Sequence, residues 1–212
     1  MLMTDPKIIV AIDTFDFEKA NAILEQLNPD HCLVKIGSVV FNALGKSFLK
    51  HASSQGFKIF LDLKLHDIPN TVYETITGFN DCKIDMLTVH LSGGEKMLRK
   101  AMLAGESINT KVIGVSMLTS LEEEDSLALF DNKLEDQISN LFQIAIKANI
   151  DGIVCSPHEL KIANTILGSH SIKITPGIRD IKVEDDQART MSAKEAIERG
   201  STFLVIGRPI TQ

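Results

Sequence analysis

Lys58-Ile-Phe-Leu-Asp-Leu-Lys-Leu-His-Asp-Ile-Pro-Asn-Thr71 is the stretch from which both the fold and the chemistry can be read. The apolar run from Lys58 to Leu61 leads into alternating charge and leucine. At the two-residue period of a strand, Asp62 and Lys64 share one face, while Leu61, Leu63 and Leu65 take the other. Asp67 follows just past the strand. Pro69 can open a helix, because its missing N–H falls among first-turn donors that have no intrahelical partner. The stretch therefore reads as a strand, a charged turn and the start of a helix. By itself an Asp-x-Lys triplet is better explained by a surface ion pair on an edge strand, and it is the surrounding chain that reverses this reading.

Outward from this stretch the same unit recurs. Lys7 to Asp13 predicts a strand and Phe17 to Leu27 a helix, and the pairs Cys32–Gly37 with Val40–Ser53 and Lys58–Leu65 with Asn70–Phe79 follow. Ile84–His90 precedes a helical pattern over Glu95–Ala104, and Lys111–Leu118 one over Leu134–Ala148. Gly152–Ser156, Ile172–Thr175 and Phe203–Gly207 complete eight strands, with helical segments at Pro157–Ile166 and Ser192–Glu198. Eight such units predict an α/β fold, a single (β/α)8 TIM barrel over residues 1–212. The strands are near-continuous apolar runs, as parallel strands buried on both faces should be, and no linker divides the chain. The sequence stops at Gln212, directly after the eighth strand. The expectation is a barrel lacking its C-terminal closing helix, with the outer faces of strands eight and one exposed.

Composition narrows the function classes. The 212 residues are 44% apolar, enough for a substantial core. Lysine and arginine number 22 against 28 acids, a net charge of -6 without a basic cluster, which argues against a nucleic-acid partner. No apolar run approaches the ~20 residues that span a bilayer, and Met1 to Lys7 lacks a signal-peptide core. A cytoplasmic protein without a membrane partner is expected. Cys32, Cys82 and Cys155 are odd in number and far apart, so they read as buried thiols rather than a disulfide framework or a zinc site.

Barrel chemistry belongs at the C-terminal strand ends, and polar residues collect there. Asp13 ends strand one, Lys35 lies near the end of strand two, Asp62 and Lys64 end strand three, and His90 ends strand four. Thr119 and Ser120 follow strand five, and Ser156 strand six. Taken singly, Asp13 could cap the next helix and His90 could be a hydrogen-bonded core histidine. Four charges converging on one mouth, Asp13, Lys35, Asp62 and Lys64, are unusual for structural purposes and point to function. Pro176-Gly-Ile-Arg179 and Gly207-Arg208-Pro209 follow strands seven and eight, where barrels bind phosphate. Glycine lets backbone approach an anion, and arginine pairs with its oxygens. The polar segment Asp180 to Thr190, with Gln187 and Arg189, could fold over a bound phosphate as a lid. Its acids Glu184, Asp185 and Asp186 also fit a solvated loop, as does the acidic run Glu122 to Asp125.

With these residues assembled, the chain resembles the orotidine 5'-monophosphate decarboxylase family over nearly its whole length. DLKLHDIPNT is similar to that family's active-site signature. A-I-D at strand one, K-I-G at strand two, L-T-S after strand five, T-P-G-I-R-D after strand seven and V-I-G-R-P-I-T at the end agree in order and spacing. The resemblance implies decarboxylation of orotidine 5'-monophosphate to UMP and CO2, the last step of UMP synthesis, without cofactor or metal. It implies Lys64 as proton donor, flanked by Asp62 and Asp67. A homodimer is implied as well, in which Asp67 and Thr71 reach into the partner's site. Asp13 and Lys35 are implied to contact ribose, Thr119 the pyrimidine, and Arg179, Gln187, Gly207 and Arg208 the phosphate. The rest of the signature, Leu63, Leu65, His66, Ile68, Pro69 and Asn70, is implied to line the substrate site. The chain departs from the family in stopping before the last helix.

Those residue types suit the reaction. Losing CO2 leaves negative charge on a ring carbon with no electron sink, and a lysine ammonium beside that carbon can attract the charge and deliver a proton. A positioned acid supplies only ~10²–10⁴-fold, so remote phosphate binding that closes a lid would contribute much of the rest. Two other readings stand beside this one. A metal-dependent sugar-phosphate decarboxylase, aldolase or epimerase would share the barrel, although relatives of that kind typically carry a carboxylate where this chain has Lys35, and a lysine repels a magnesium ion. A barrel that binds a nucleotide without turnover is the third.

Overall fold

A computed structural model describes residues 7–168, 170–178 and 191–211. Its eight strands are β1 (Ile8–Ile12), β2 (Cys32–Gly37), β3 (Ile59–Leu65), β4 (Met86–His90), β5 (Lys111–Val115), β6 (Gly152–Val154), β7 (Ile172–Thr175) and β8 (Phe203–Ile206). All pair in parallel with their sequence neighbours, and β8 returns to β1 through Ile8↔Leu204 and Val10↔Ile206, closing the barrel. Between them run α1 (Phe17–Glu25), α2 (Ser38–Ser54), α3 (Pro69–Thr77), α4 (Gly94–Ser107), α5 (Glu123–Phe130), α6 (Leu134–Ala148), α7 (Leu160–Leu167) and α8 (Ala193–Glu198), and one turn, α9 (Arg208–Thr211), follows β8.

The period-two alternation builds two cores. Ile9, Leu33, Phe60, Met86, Ile113, Ile174 and Val205 point into the barrel and fill it. Their odd-step neighbours, including Val10, Ile12, Val34, Ile36, Ile59, Leu61 and Leu87, point outward and are covered by helices through Leu24, Phe48, Ile76, Leu98 and Phe142. This division is what a closed parallel sheet under a ring of helices requires.

Several expectations shift in detail. α3 begins with Pro69 at its first turn, as the missing N–H allows. The strand expected over Lys111–Leu118 ends at Val115, and that over Gly152–Ser156 at Val154. The acids Glu122–Glu124 are exposed, as a solvated face would be, yet they also open an unforeseen helix. Asp125 accepts the Glu122 N–H at 2.9 Å, and the acids in the first turn of α5 complement its dipole. The expected bare outer face at the closure is only partly bare. α9 packs on β1, Val10 and Leu204 are buried, and Ile8 is 37% exposed. All three cysteines are free thiols and buried. Burial raises the Cys155 thiol well above its usual range. Among the described residues no helix is long and apolar enough to cross a membrane.

Candidate active site

The same inward alternation that fills the barrel writes the site. Two residues beyond the interior layer, Ala11 leads to Asp13, Leu33 to Lys35 and Gly37, Phe60 to Asp62 and Lys64, and Val205 to Gly207. Of these, Ala11, Asp13, Lys35, Phe60, Asp62, Lys64, Val205 and Gly207 line a cavity of about 440 Å³ at the C-terminal mouth, together with Val115, Met117, Leu118, Thr119, Pro176, Gly177 and Arg208. Apolar residues such as Phe60 and Met117, buried at the cavity floor, were not singled out from sequence. Nothing distinguishes a cavity-lining apolar residue from a core residue until the barrel is closed.

The four charges form one alternating row. Lys35 Nζ lies 3.1 Å from Asp13 Oδ1 and 3.9 Å from Asp62 Oδ2. Lys64 Nζ donates to both oxygens of Asp62, at 3.0 and 2.9 Å. The sequence reads negative, positive, negative, positive across three adjacent strands, and Asp62 is held between both lysines. The side chains of Asp62 and Lys35 are nearly enclosed, whereas that of Lys64 is 35% exposed toward the cavity. Asp13 does not cap α1. Asp16 does so, accepting the Lys19 N–H at 3.0 Å, which leaves Asp13 to pair with Lys35. A Cβ at Gly37 would sit 3.0 Å from Lys35 Nζ, so any side chain there would press on that ammonium.

Lys64 departs from the regular strand that its alternation suggests. Its φ is +51°, in the left-handed region, and the register of β3 on β4 slips between Leu61↔Leu87 and Leu65↔Val89. Such a conformation costs a non-glycine residue on the order of 1 kcal/mol or more and concentrates at functional sites. The bulge aims Lys64 into the mouth beside Asp62.

Among the expected site residues, the structure brings Asp13, Lys35, Asp62, Lys64, Thr119, Gly207 and Arg208 together around one cavity. It places the rest of the signature elsewhere on the chain. Leu63 lines a shallow depression with Val39 and Phe41, and His66 packs its ring 5.4 Å from that of His90. His90 is half-buried, and burial, reinforced by the nearby His66 and Lys64, lowers its pKa from the usual value. Leu65 is half-buried and paired with Val89. Asp67, Ile68, Asn70 and Thr71 are exposed at the rim around Pro69, and Asp67 accepts the Ile68 N–H at 2.6 Å. Within one chain, then, Lys64 is flanked by Asp62 and not by Asp67. Arg179, Gln187 and the expected lid Asp180–Thr190 lie outside the described residues.

A larger groove of about 890 Å³ opens at the opposite, N-terminal end of the barrel. Both of its aspartates are occupied by backbone: Asp85 Oδ2 accepts the Ile59 N–H at 2.9 Å and Asp151 Oδ2 the Val112 N–H at 2.8 Å. Among the described residues no cluster of three or more His, Cys, Asp or Glu side chains is arranged to hold a metal ion.

Comparison with known proteins agrees with this geometry. The sequence model of the orotidine 5'-phosphate decarboxylase / HUMPS family matches residues 6–212. The chain belongs to that family. It is 43% identical to the orotidine 5'-phosphate decarboxylase of Legionella pneumophila strain Corby, covering 98% of this chain and 93% of the relative. It is 40% identical to that of Psychromonas ingrahamii, over 99% of this chain and 92% of the relative. Among solved structures, the orotidine 5'-phosphate decarboxylase of Lactobacillus acidophilus superposes with a TM-score of 0.85 at 35% identity, covering 98% of this chain and 92% of that one. The enzyme from Methanocaldococcus jannaschii complexed with the inhibitor BMP shares the fold, with a TM-score of 0.79 at 23% identity.

Proposed function

We propose that this chain decarboxylates orotidine 5'-monophosphate to UMP and CO2, the last step of UMP synthesis, with Lys64 as the proton donor. The observation that carries the reading is the row Asp13, Lys35, Asp62, Lys64 at the barrel mouth, with Lys64 held by both oxygens of Asp62. In the step itself the bond between the ring carbon and the carboxylate breaks, CO2 leaves, and the electron pair stays on the ring carbon. The Lys64 ammonium stabilises that charge as it grows and transfers one proton to the carbon. The resulting amine regains a proton from solvent. The donor is fixed before the reaction, so its electrostatic effect costs little reorganisation at the moment of bond breaking. Asp62 also brings negative charge close to where the substrate carboxylate leaves, and departure of CO2 relieves that repulsion.

On this reading Asp13 and Lys35 contact the ribose, Thr119 the pyrimidine, and Gly207 with Arg208 the phosphate, a role that Arg179 and Gln187 are proposed to share. The reading includes a homodimer in which the exposed Asp67 and Thr71 complete the partner's cavity. A cytoplasmic setting fits three unpaired thiols. The sugar-phosphate alternative would need a cation beside Asp62, where Lys35 and Lys64 already stand and would repel it.

The test is the ultraviolet absorbance of orotidine 5'-monophosphate on addition of the purified chain, with and without a chelator. Chelator-resistant loss of substrate is expected. Binding without turnover, or turnover that a chelator abolishes, would replace this reading with one of its competitors.

A further inference from the structure

The inward face of β4 runs Met86, Thr88, His90, and its middle member belongs to neither the apolar core nor the cavity wall. Thr88 is fully buried. Its hydroxyl accepts the backbone N–H of Lys64 at 2.8 Å and donates to Asp62 Oδ1 at 3.0 Å. That same oxygen accepts a bond from Lys64 Nζ. One hydroxyl therefore closes a ring through the carboxylate, the ammonium and the main chain of a single lysine.

The position of this ring is informative. Where β3 slips its register on β4, the N–H of Lys64 has no regular ladder acceptor, and the Thr88 hydroxyl takes that place. The left-handed Lys64 backbone is thus held by a side chain rather than by the sheet. A hydroxyl with one proton that accepts from the N–H must point that proton at Asp62, which fixes the carboxylate's rotation as well.

We propose that Thr88 is a positioning residue, which locks Lys64 in its left-handed conformation and orients Asp62 so that ammonium and carboxylate meet in the geometry the chemical step uses. The proposal rests on Lys64 being the proton donor. Thr88 does not touch substrate. Its removal therefore acts on the rate of the step and hardly on substrate affinity.

Thr88→Val, which keeps the shape and loses the hydroxyl, is compared with Thr88→Ser, which keeps the hydroxyl. On orotidine 5'-monophosphate, Thr88→Val is expected to lower kcat about 10- to 100-fold with KM within about threefold of wild type, the loss of a charge-assisted hydrogen bond at the reacting pair. Thr88→Ser should recover most of that rate. If Thr88→Val does not fold, Thr88→Ala takes its place in the same comparison. An unchanged kcat in the hydroxyl-free variant, or equal impairment in Thr88→Ser, overturns the proposal. The crystal structure of the hydroxyl-free variant decides the geometric claim independently of turnover: Lys64 should leave positive φ or separate from Asp62, and retention of both refutes it. A wild-type chain that leaves the nucleotide intact would instead remove the function reading.

Discussion

The two ends of this barrel use aspartate in opposite ways. At the N-terminal end, Asp85 and Asp151 repeat one device. Asp85 donates its N–H to Ile59 O at 3.0 Å and accepts the Ile59 N–H on its carboxylate, and Asp151 does the same with Val112, its N–H reaching Val112 O at 3.2 Å. Each carboxylate there extends the sheet by one hydrogen-bonded step. At the C-terminal end, Asp13 and Asp62 face Lys35 across strands, Asp62 also pairs with Lys64 on its own strand, and the chain at Lys64 is left-handed and out of register. Backbone partners make a carboxylate part of the scaffold. Lysine partners in a half-enclosed mouth leave it available to chemistry, at some cost in backbone strain.

Substitutions should separate the two ends. The largest effect is expected from Asp62→Ala, which frees Lys64 and Lys35 from their shared anion and should lower kcat by about 10³-fold, within the range of a mispositioned acid. Its melting temperature should move far less than its rate.

Asp67→Ala comes next, with an expected loss of about 10²-fold if the partner's mouth needs that carboxylate. The rim is also the place to test assembly. Asp67→Ala mixed with Lys64→Ala in equal amounts and allowed to exchange subunits should regain roughly a quarter of wild-type activity, because half the dimers are mixed and each holds one intact site. No recovery on mixing would mean that both residues serve the same chain's site.

At the other end, Asp85→Ala strips the Ile59 N–H of its acceptor. It should cost about 1–3 kcal/mol of stability, seen as a lower melting temperature, with kcat unchanged. A rate loss there comparable to that at Asp62 would erase the contrast.

The smallest effect concerns pH. Burial lowers the His90 pKa from its usual 6.5 in the folded chain. The unfolded chain therefore takes up that proton first as the pH falls. The stabilisation is full above the unfolded value and is lost as the pH drops below it, until the folded state protonates as well. The difference in melting temperature between wild type and His90→Gln, followed from about pH 7.5 down to 5.5, should change in that direction.

Much of this was legible in the sequence because barrel geometry depends on a period of two. Once the strands were counted, the parity that buries Leu33 and Phe60 also put Lys35, Asp62 and Lys64 at one mouth. The capping reading of Asp13 could not be resolved locally, since its alternative partner lies 22 residues away. Thr88 left no signal at all. A buried threonine in Met86-Leu-Thr-Val-His90 looks like any β-branched strand residue, and its bond to the Lys64 backbone exists only because the register slips. The left-handed Lys64 was equally hidden, since lysine carries no local preference for positive φ.

The most direct test of the account is the kcat of Lys64→Ala on orotidine 5'-monophosphate, measured on protein shown to be folded by an unchanged melting transition. The account predicts a loss of at least about 10³-fold with the nucleotide still bound. A folded variant that decarboxylates within tenfold of wild type would contradict it, because the alternating row at the mouth would then not be the source of the proton.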